Sequence, residues 1–208
     1  MLKELMYFLQ FIFKFINPKN QIMILQPSTM ALPKTFEEFL QWDAADGFKY
    51  EWNDGEVIRF EKMKKKHLVI IRRLQQLFFG TVSFDKGGAF IMEQDVMLTG
   101  IQMRRPDLAY FSGNQIDDST SSDEEPIPEF IIEVVSPTDD AIKVEEKLAE
   151  YFKSTVKVVW HIYPENEVVY VYTSRKLVKI CTDNDICSAA PVLTDFNISV
   201  NDLLALPV

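Results

Sequence analysis

The sequence predicts an α/β (α+β) chain, a mixed sheet with helices packed against it. Three observations lead there. Apolar residues recur with a helical period in some stretches and in strand-length runs in others. The element types follow the order helix, several strands, helix, strands rather than falling into blocks of one kind. One run, Phe130 to Val135, is apolar except for Glu133, as expected of a strand covered on both faces.

Thr35 to Trp42 has helical character: Thr35 and Glu38 stand at capping-box spacing, and Phe36, Phe39 and Leu40 supply an apolar face. Residues 50–58 read as strand, turn, strand, because Asn53-Asp54-Gly55 offers residues that tolerate positive φ. Lys64 to Phe79 is a helix with Leu68, Ile71, Leu74 and Phe78 at helical spacing, ended by Gly80. Ala89–Met92, Asp95–Thr99 and Arg105–Phe111 are expected strands, and Asp117–Glu125 an acidic loop. Glu129–Val135 is the central strand. Ser136-Pro137-Thr138-Asp139 breaks it and leads into a helix, Asp140–Lys153, with Ala141, Val144, Leu148, Tyr151 and Phe152 as its buried face. Lys157–Tyr163 and Val168–Thr173 form a hairpin, Lys176–Ile180 adds a strand, and Asn197–Leu204 a last helix.

The chain has 208 residues, 47% of them hydrophobic, which suits one domain with an appendage. We divide it into an N-terminal extension and linker over 1–30 and a single domain over 31–208. Met1 to Ile16 is apolar but broken by Lys3, Glu4 and Lys14, so it is too short for a membrane span and lacks a cleavage site. It reads as a surface-lying amphipathic helix or as the product of an upstream start codon, with Met23 or Met30 as the true start; we favour the latter. Cys181 and Cys187 have no metal-ligand spacing and fit two thiols in a reducing cytoplasm. The net charge of −9 argues against unaided non-specific binding to nucleic acid, yet leaves room for a local basic patch. There is no phosphate-binding glycine loop, so no small-molecule cofactor is expected.

Chemistry centres on Asp107 and Glu133. A buried ionised carboxylate is costly unless paired, so Glu133 needs a metal ion, a lysine or a proton. Two acids on neighbouring strands could share Mg²⁺, which takes one or two carboxylates plus waters and a phosphate; equally, Glu133 could pair with Arg104, Arg105 or Lys147 in a structural ion pair. Lys147 could orient a water or offset transition-state charge, or be a helix-surface lysine beside Glu145, Glu146 and Glu150, with Lys143 as its rival. Glu51 could complete a metal shell or be a strand-edge acid, and Glu56 shares that ambiguity. Lys62, Lys64, Lys65, Lys66, His67, Arg72 and Arg73 form the one concentrated positive cluster, a phosphate-contacting face or a solvated turn. His67 and His161 show no zinc spacing.

The stretches Tyr50-Glu51-x-x-Asp54-Gly55-Glu56, Arg105-Pro106-Asp107, Glu133-Val134-x-Ser136-Pro137 and Glu146-Lys147-Leu148-x-x-Tyr151, with Trp160 and Pro164, resemble the Uma-type restriction endonuclease family of the PD-(D/E)XK nuclease superfamily. The resemblance runs from about Thr35 to about Thr173 in the right order. It implies a restriction-endonuclease-like fold and hydrolysis of DNA phosphodiesters by an enzyme dependent on Mg²⁺ (or Mn²⁺). By this resemblance Asp107 and Glu133 hold the metal, Lys147 positions water or stabilises the phosphorane, and Glu51 supports the site or recruits a second metal. On charge, Lys64, Lys65, Lys66 and Arg105 are the residues expected to contact DNA. Position 135 holds valine where the superfamily pattern has lysine, and Lys147 on the next helix takes that place. A lysine-rich segment stands before His67 in place of a Ser-Pro turn, and Tyr163 stands where an aspartate commonly precedes the proline. Cutting both strands benefits from two sites, which is compatible with a homodimer. The alternatives are a catalytically inactive module binding nucleic acid or protein, and an interaction or membrane-peripheral module built on residues 1–16.

Overall fold

Residues 53–56 show how local sequence sets a strand pair. Asn53 faces Glu56 across a two-residue turn in which Asp54 and Gly55 have φ of 44° and 91°. That turn needs positive φ at both central positions, and it joins β1 (Lys49–Asn53) to β2 (Glu56–Phe60). The computed structural model describes residues 32–44, 48–60, 65–98, 102–121 and 125–205, without the side chains of Phe60, Lys65 and Lys66. The expectations for residues 1–30, and those placed on Lys62 and Lys64, lie outside the described residues.

Before β1 comes α1 (Phe36–Leu40), whose Thr35 side chain accepts from the Glu38 N–H. The Glu38 carboxylate turns instead to the Lys34 N–H, so the reciprocal bond expected of a capping box goes one residue further back. After β2 follow α2 (Lys65–Phe78), α3 (Val82–Asp85), β3 (Ala89–Met92), β4 (Val96–Met97), β5 (Gln102–Arg104), β6 (Leu108–Phe111) and α4 (Gly113–Ser119). The chain continues through β7 (Phe130–Val134), α5 (Ala141–Lys153), β8 (Val158–Tyr163), β9 (Val168–Ser174), β10 (Leu177–Thr182), β11 (Ile186–Ala189), β12 (Leu193–Ser199) and α6 (Val200–Leu204).

The strands build a four-stranded sheet of order β2-β1-β5-β4, a six-stranded sheet of order β10-β9-β8-β7-β6-β3, and the pair β11-β12. In the six-stranded sheet β7 and β8 run parallel while their other neighbours run antiparallel. Parallel neighbours need a crossover, and α5 provides it. Both faces of the middle strands are covered. Leu108, Phe130, Ile132, Val158 and Trp160 pack with Ile71, Leu74 and Phe78 of α2. Ala109, Phe111, Ile131 and Val159 pack with Leu148 and Tyr151 of α5. Two-sided burial accounts for the unbroken apolar run at Phe130–Val134, and the period-two alternation puts Glu133 on the α5 side with Ile131. A smaller core of Phe39, Trp52 and Met103 ties α1 to the four-stranded sheet.

Four expectations need correction. The strand expected over Arg105–Phe111 begins only at Leu108, as β6; residues 105–107 join it to β5, which ends at Arg104 in the other sheet, so Asp107 lies in the link between sheets. Part of the expected acidic loop is α4, started by Ser112 and Gln115, each side chain accepting from the other's backbone N–H. Asn197–Ser199 belongs to β12, and the last helix begins only at Val200. Leu68 is exposed and Ile70 takes its place in the core, while Ala141 of α5 is exposed too.

Gly113, the first residue of α4, is required by a close approach. A Cβ there would stand 2.2 Å from the Lys86 carbonyl oxygen, a backbone atom that cannot swing aside. Gly113→Ala is therefore expected to destabilise the chain by about 1–3 kcal/mol, as overpacking does, read as a lower urea midpoint at unchanged slope. An unchanged midpoint would mean that the 86–88 turn yields freely.

Candidate active site

Four elements from two sheets and one helix converge here. Strand β1 carries Glu51, the β5–β6 link carries Asp107, β7 carries Glu133, and α5 carries Lys147. Helix α5 forms because Asp140 accepts from the N–H groups of Ile142 and Lys143, satisfying donors a helix start leaves free. Leu148 and Tyr151 then press it onto the sheet, and Lys143, Lys147 and Tyr151, four residues apart, follow one stripe of its surface.

Lys147 is buried, and its Nζ lies 3.1 Å from Glu51 Oε1 and 2.9 Å from Glu133 Oε1. The Tyr151 hydroxyl donates to the same Glu133 Oε1 at 2.5 Å. Glu51, with 0% of its surface exposed, is held on every side: Oε1 also accepts from the Arg105 N–H at 3.2 Å, and Oε2 lies 3.4 Å from Arg104 Nη1. Arg104 in turn forms a fork with Glu150, Nε to Oε2 at 2.6 Å and Nη2 to Oε1 at 2.8 Å. Asp107 takes the Val134 N–H on Oδ2 at 2.7 Å and has Lys49 Nζ at 3.5 Å from Oδ1.

These contacts set the protonation states. Burial alone would strip Lys147 of its proton, but the Glu133 and Glu51 carboxylates outweigh it and raise its pKa, so the amine stays an ammonium. Burial pushes Glu133 up, yet Lys147, Lys49 and the hydrogen bonds from Tyr151 and Lys147 bring its pKa below the usual carboxylate value. Asp107 is pushed up to about 6, first by burial and then by the Glu133 charge, with Lys49, the Val134 N–H and Lys147 opposing. Burial also lowers His161, beside Glu133 on β8, to about 4, so it is a neutral imidazole near neutral pH. The bookkeeping of charge agrees: Lys49, Arg104 and Lys147 face Glu51, Asp107, Glu133 and Glu150, one carboxylate in excess.

Asp107, Glu133 and Lys147 open onto one cavity of about 390 Å³, also lined by Lys49, Arg59, His67 and Lys143. Glu51 does not line it: it sits behind Lys147, and its neighbours use both oxygens. Arg105 does not line it either; its guanidinium pairs with Asp95 at 2.6 and 2.9 Å. Sequence reasoning missed Lys49 and Arg59 as cavity cations, and missed Arg104 as the partner of Glu51. All three owe their positions to strand pairing and sheet placement, which no local pattern reports. Of the basic cluster, His67 reaches the cavity, Arg72 is exposed, and Arg73 donates to the Leu203 carbonyl at 2.6 Å.

The family described as "Uma2: Putative restriction endonuclease" matches residues 36–201, and the chain belongs to that family. Among solved structures, the chain is similar to the crystal structure of "a putative nuclease belonging to DUF820 from Anabaena variabilis", with a TM-score of 0.72 at 20% identity, covering 83% of this chain and 98% of that one. At that identity the likeness establishes the shared fold. No curated protein matches. No described helix is long and apolar enough to cross a membrane.

Asp107 provides a pH-dependent check. A carboxyl whose folded pKa is raised weighs against the folded state once ionised. The penalty is absent below the unfolded value of about 4 and complete above about 6. Without divalent ions, Asp107→Asn is expected to raise stability at about pH 8, by on the order of 2 kcal/mol, with the gain vanishing near pH 4. Thermal melts across pH check this; a constant gain would detach it from ionisation.

Proposed function

We propose that this protein is a divalent-metal-dependent endonuclease that hydrolyses DNA phosphodiester bonds in the cavity above Asp107. The observation that carries the reading is the meeting of Asp107, Glu133 and Lys147, from three separate segments, on one cavity that also holds Lys49, Arg59 and Lys143. The donor set fits Mg²⁺ or Mn²⁺: the side chains offered are carboxylates, and the cluster has one anion in excess. Among the described residues no group of three or more acids, histidines or cysteines could hold a metal ion by itself. Two carboxylates, with water and a substrate phosphate, are how Mg²⁺ is usually held. Asp107 and Glu133 would hold the ion, Glu133 through Oε2, since its contacts with Lys147 and Tyr151 both use Oε1. When bound, the ion would polarise the scissile phosphate and make water a better nucleophile at neutral pH.

The chain's own groups divide the remaining work. Lys147 keeps its proton, which makes it unsuited to act as a general base; it orients the attacking water and offsets charge gathering on the phosphate. Glu51 and Tyr151 fix that ammonium and the Glu133 carboxylate in place. Lys49, Arg59 and Lys143 line the cavity where a DNA backbone would run, and hold it through charge. Cytoplasmic residence and pairing of two copies for double-strand cutting fit this reading. The second reading, binding without cutting, is favoured by one feature: Lys147 already neutralises Glu133, so the cluster is complete as a structural ion network.

Purified protein with supercoiled plasmid and Mg²⁺ is expected to give nicked and linear DNA, and none in EDTA. Asp107→Ala is expected to abolish cutting, and Lys147→Met to slow it roughly 100- to 1,000-fold, the scale for losing a transition-state charge partner. Unchanged cutting in Asp107→Ala would remove Asp107 from the chemistry, and inactivity of folded wild type with Mg²⁺ and Mn²⁺ would leave the binding module.

A further inference from the structure

A second cavity, of about 300 Å³, adjoins the first. The two share a wall made of Val135, Ser136, Asp139, Val144 and His161. Their chemistry differs. The first sets Lys49, Arg59, Lys143 and Lys147 among the carboxylates of Glu93, Asp107, Glu133, Asp139 and Asp140. The second has no lysine or arginine in its lining; beyond the shared wall it has Tyr163, Tyr172, Glu145, Glu165 and Asn166. Of the two linings, only the first offers lysine or arginine to a phosphate.

The rings of the second cavity are arranged around it without stacking on one another. The His161 ring is tilted 64° to Tyr172 at 5.2 Å and 74° to Tyr163 at 6.4 Å. Tyr163 and Tyr172 are each half-buried. Period-two alternation on β9 sends Val169 and Val171 into the core and leaves Tyr170 and Tyr172 on the α5 side of the sheet. A flat, uncharged, hydrogen-bonding molecule suits such a space, and the first cavity beside it suits the phosphate that molecule is attached to.

We propose that the second cavity is a nucleobase subsite, and that the substrate class is therefore a DNA strand with an unpaired base next to the phosphate held above Asp107. A base in a duplex is stacked on both sides and cannot enter; an unpaired base can, and gains about 1–3 kcal/mol by stacking on an aromatic side chain. Tyr163 and Tyr172 supply the rings, while Asn166 offers a partner to the base edge. This rests on the reading of the first cavity as a phosphodiester site, and it is tested without cutting.

In EDTA, fluorescence anisotropy with a fluorescein-labelled single-stranded 12-mer and with the same sequence as a duplex gives the two affinities. The single strand is expected to bind at least about 5-fold more tightly, the factor worth the lower end of one stacked base. Tyr163→Ala/Tyr172→Ala is expected to erase that preference and leave duplex affinity unchanged. Tyr163→Phe/Tyr172→Phe, which keeps the ring faces, is expected to retain it and serves as the folding control. Equal affinities, no binding of the single strand, or parallel loss on both probes in the alanine variant would each overturn the subsite. Cutting of the same labelled single strand with Mg²⁺, alongside the duplex and the plasmid, reports on the phosphodiester site separately, so a failed subsite in an active nuclease, or a base-binding protein that cuts none of them, would be told apart.

Discussion

Everything at the site depends on one ammonium. Lys147 lies between Glu51 from the four-stranded sheet and Glu133 from the six-stranded sheet, while its own helix spans the crossover between β7 and β8. It is thus both a charge in the cavity and the bolt between two sheets. Removing water from an ammonium and two carboxylates costs several kcal/mol per ion, and their attraction offsets it only with good geometry and further hydrogen bonds. Those are present: Tyr151 on Glu133, and Arg104 with the Arg105 N–H on Glu51. A group so tightly held has little freedom to move, which is what positioning of a reacting water asks of it.

The division of charge follows from the same constraint. Glu51 and Glu133 share one lysine, Glu150 is taken by Arg104, and Asp107 is left with the more distant Lys49. The carboxylate with the weakest compensation is the one pushed up in pKa, and it is also the one whose backbone lies between the sheets, against the open cavity. His161, on the same side of the large sheet, adds no charge near neutral pH and so leaves this balance undisturbed.

Much of this was legible in the sequence wherever a local pattern had a physical cause. Helical spacing located α1, α2 and α5; Asn53-Asp54-Gly55 located the first hairpin; and Glu133 stood out as a carboxylate in an apolar run that had to find a partner. The order of the motifs pointed to the family. Long-range geometry was not legible. Residues 105–107 carry the backbone from one sheet to another, but their sequence reads as the start of a strand, which leaves β5 before them unassigned. Ser112 and Gln115 had the spacing of a helix start, but the acidic residues after them looked like loop. Arg104 and Lys49 became part of the site through pairing of β1 with β5 and the placement of the two sheets. The reading of Glu133 left three partners open, and lysine is the one in contact with it.

The Lys147–Glu51 contact spans 96 positions of sequence. During synthesis, when chains fold from the N-terminal end as they emerge, β1 is exposed long before α5 has left the ribosome, and β7 only shortly before it. Glu51 can meet Arg104 and the Arg105 N–H beforehand, but Glu133 must wait for the helix that brings Lys147 and Tyr151. A nascent chain truncated before residue 147 would therefore lack the amine that joins Glu51 to Glu133, and that junction becomes a mark that translation has reached the crossover helix.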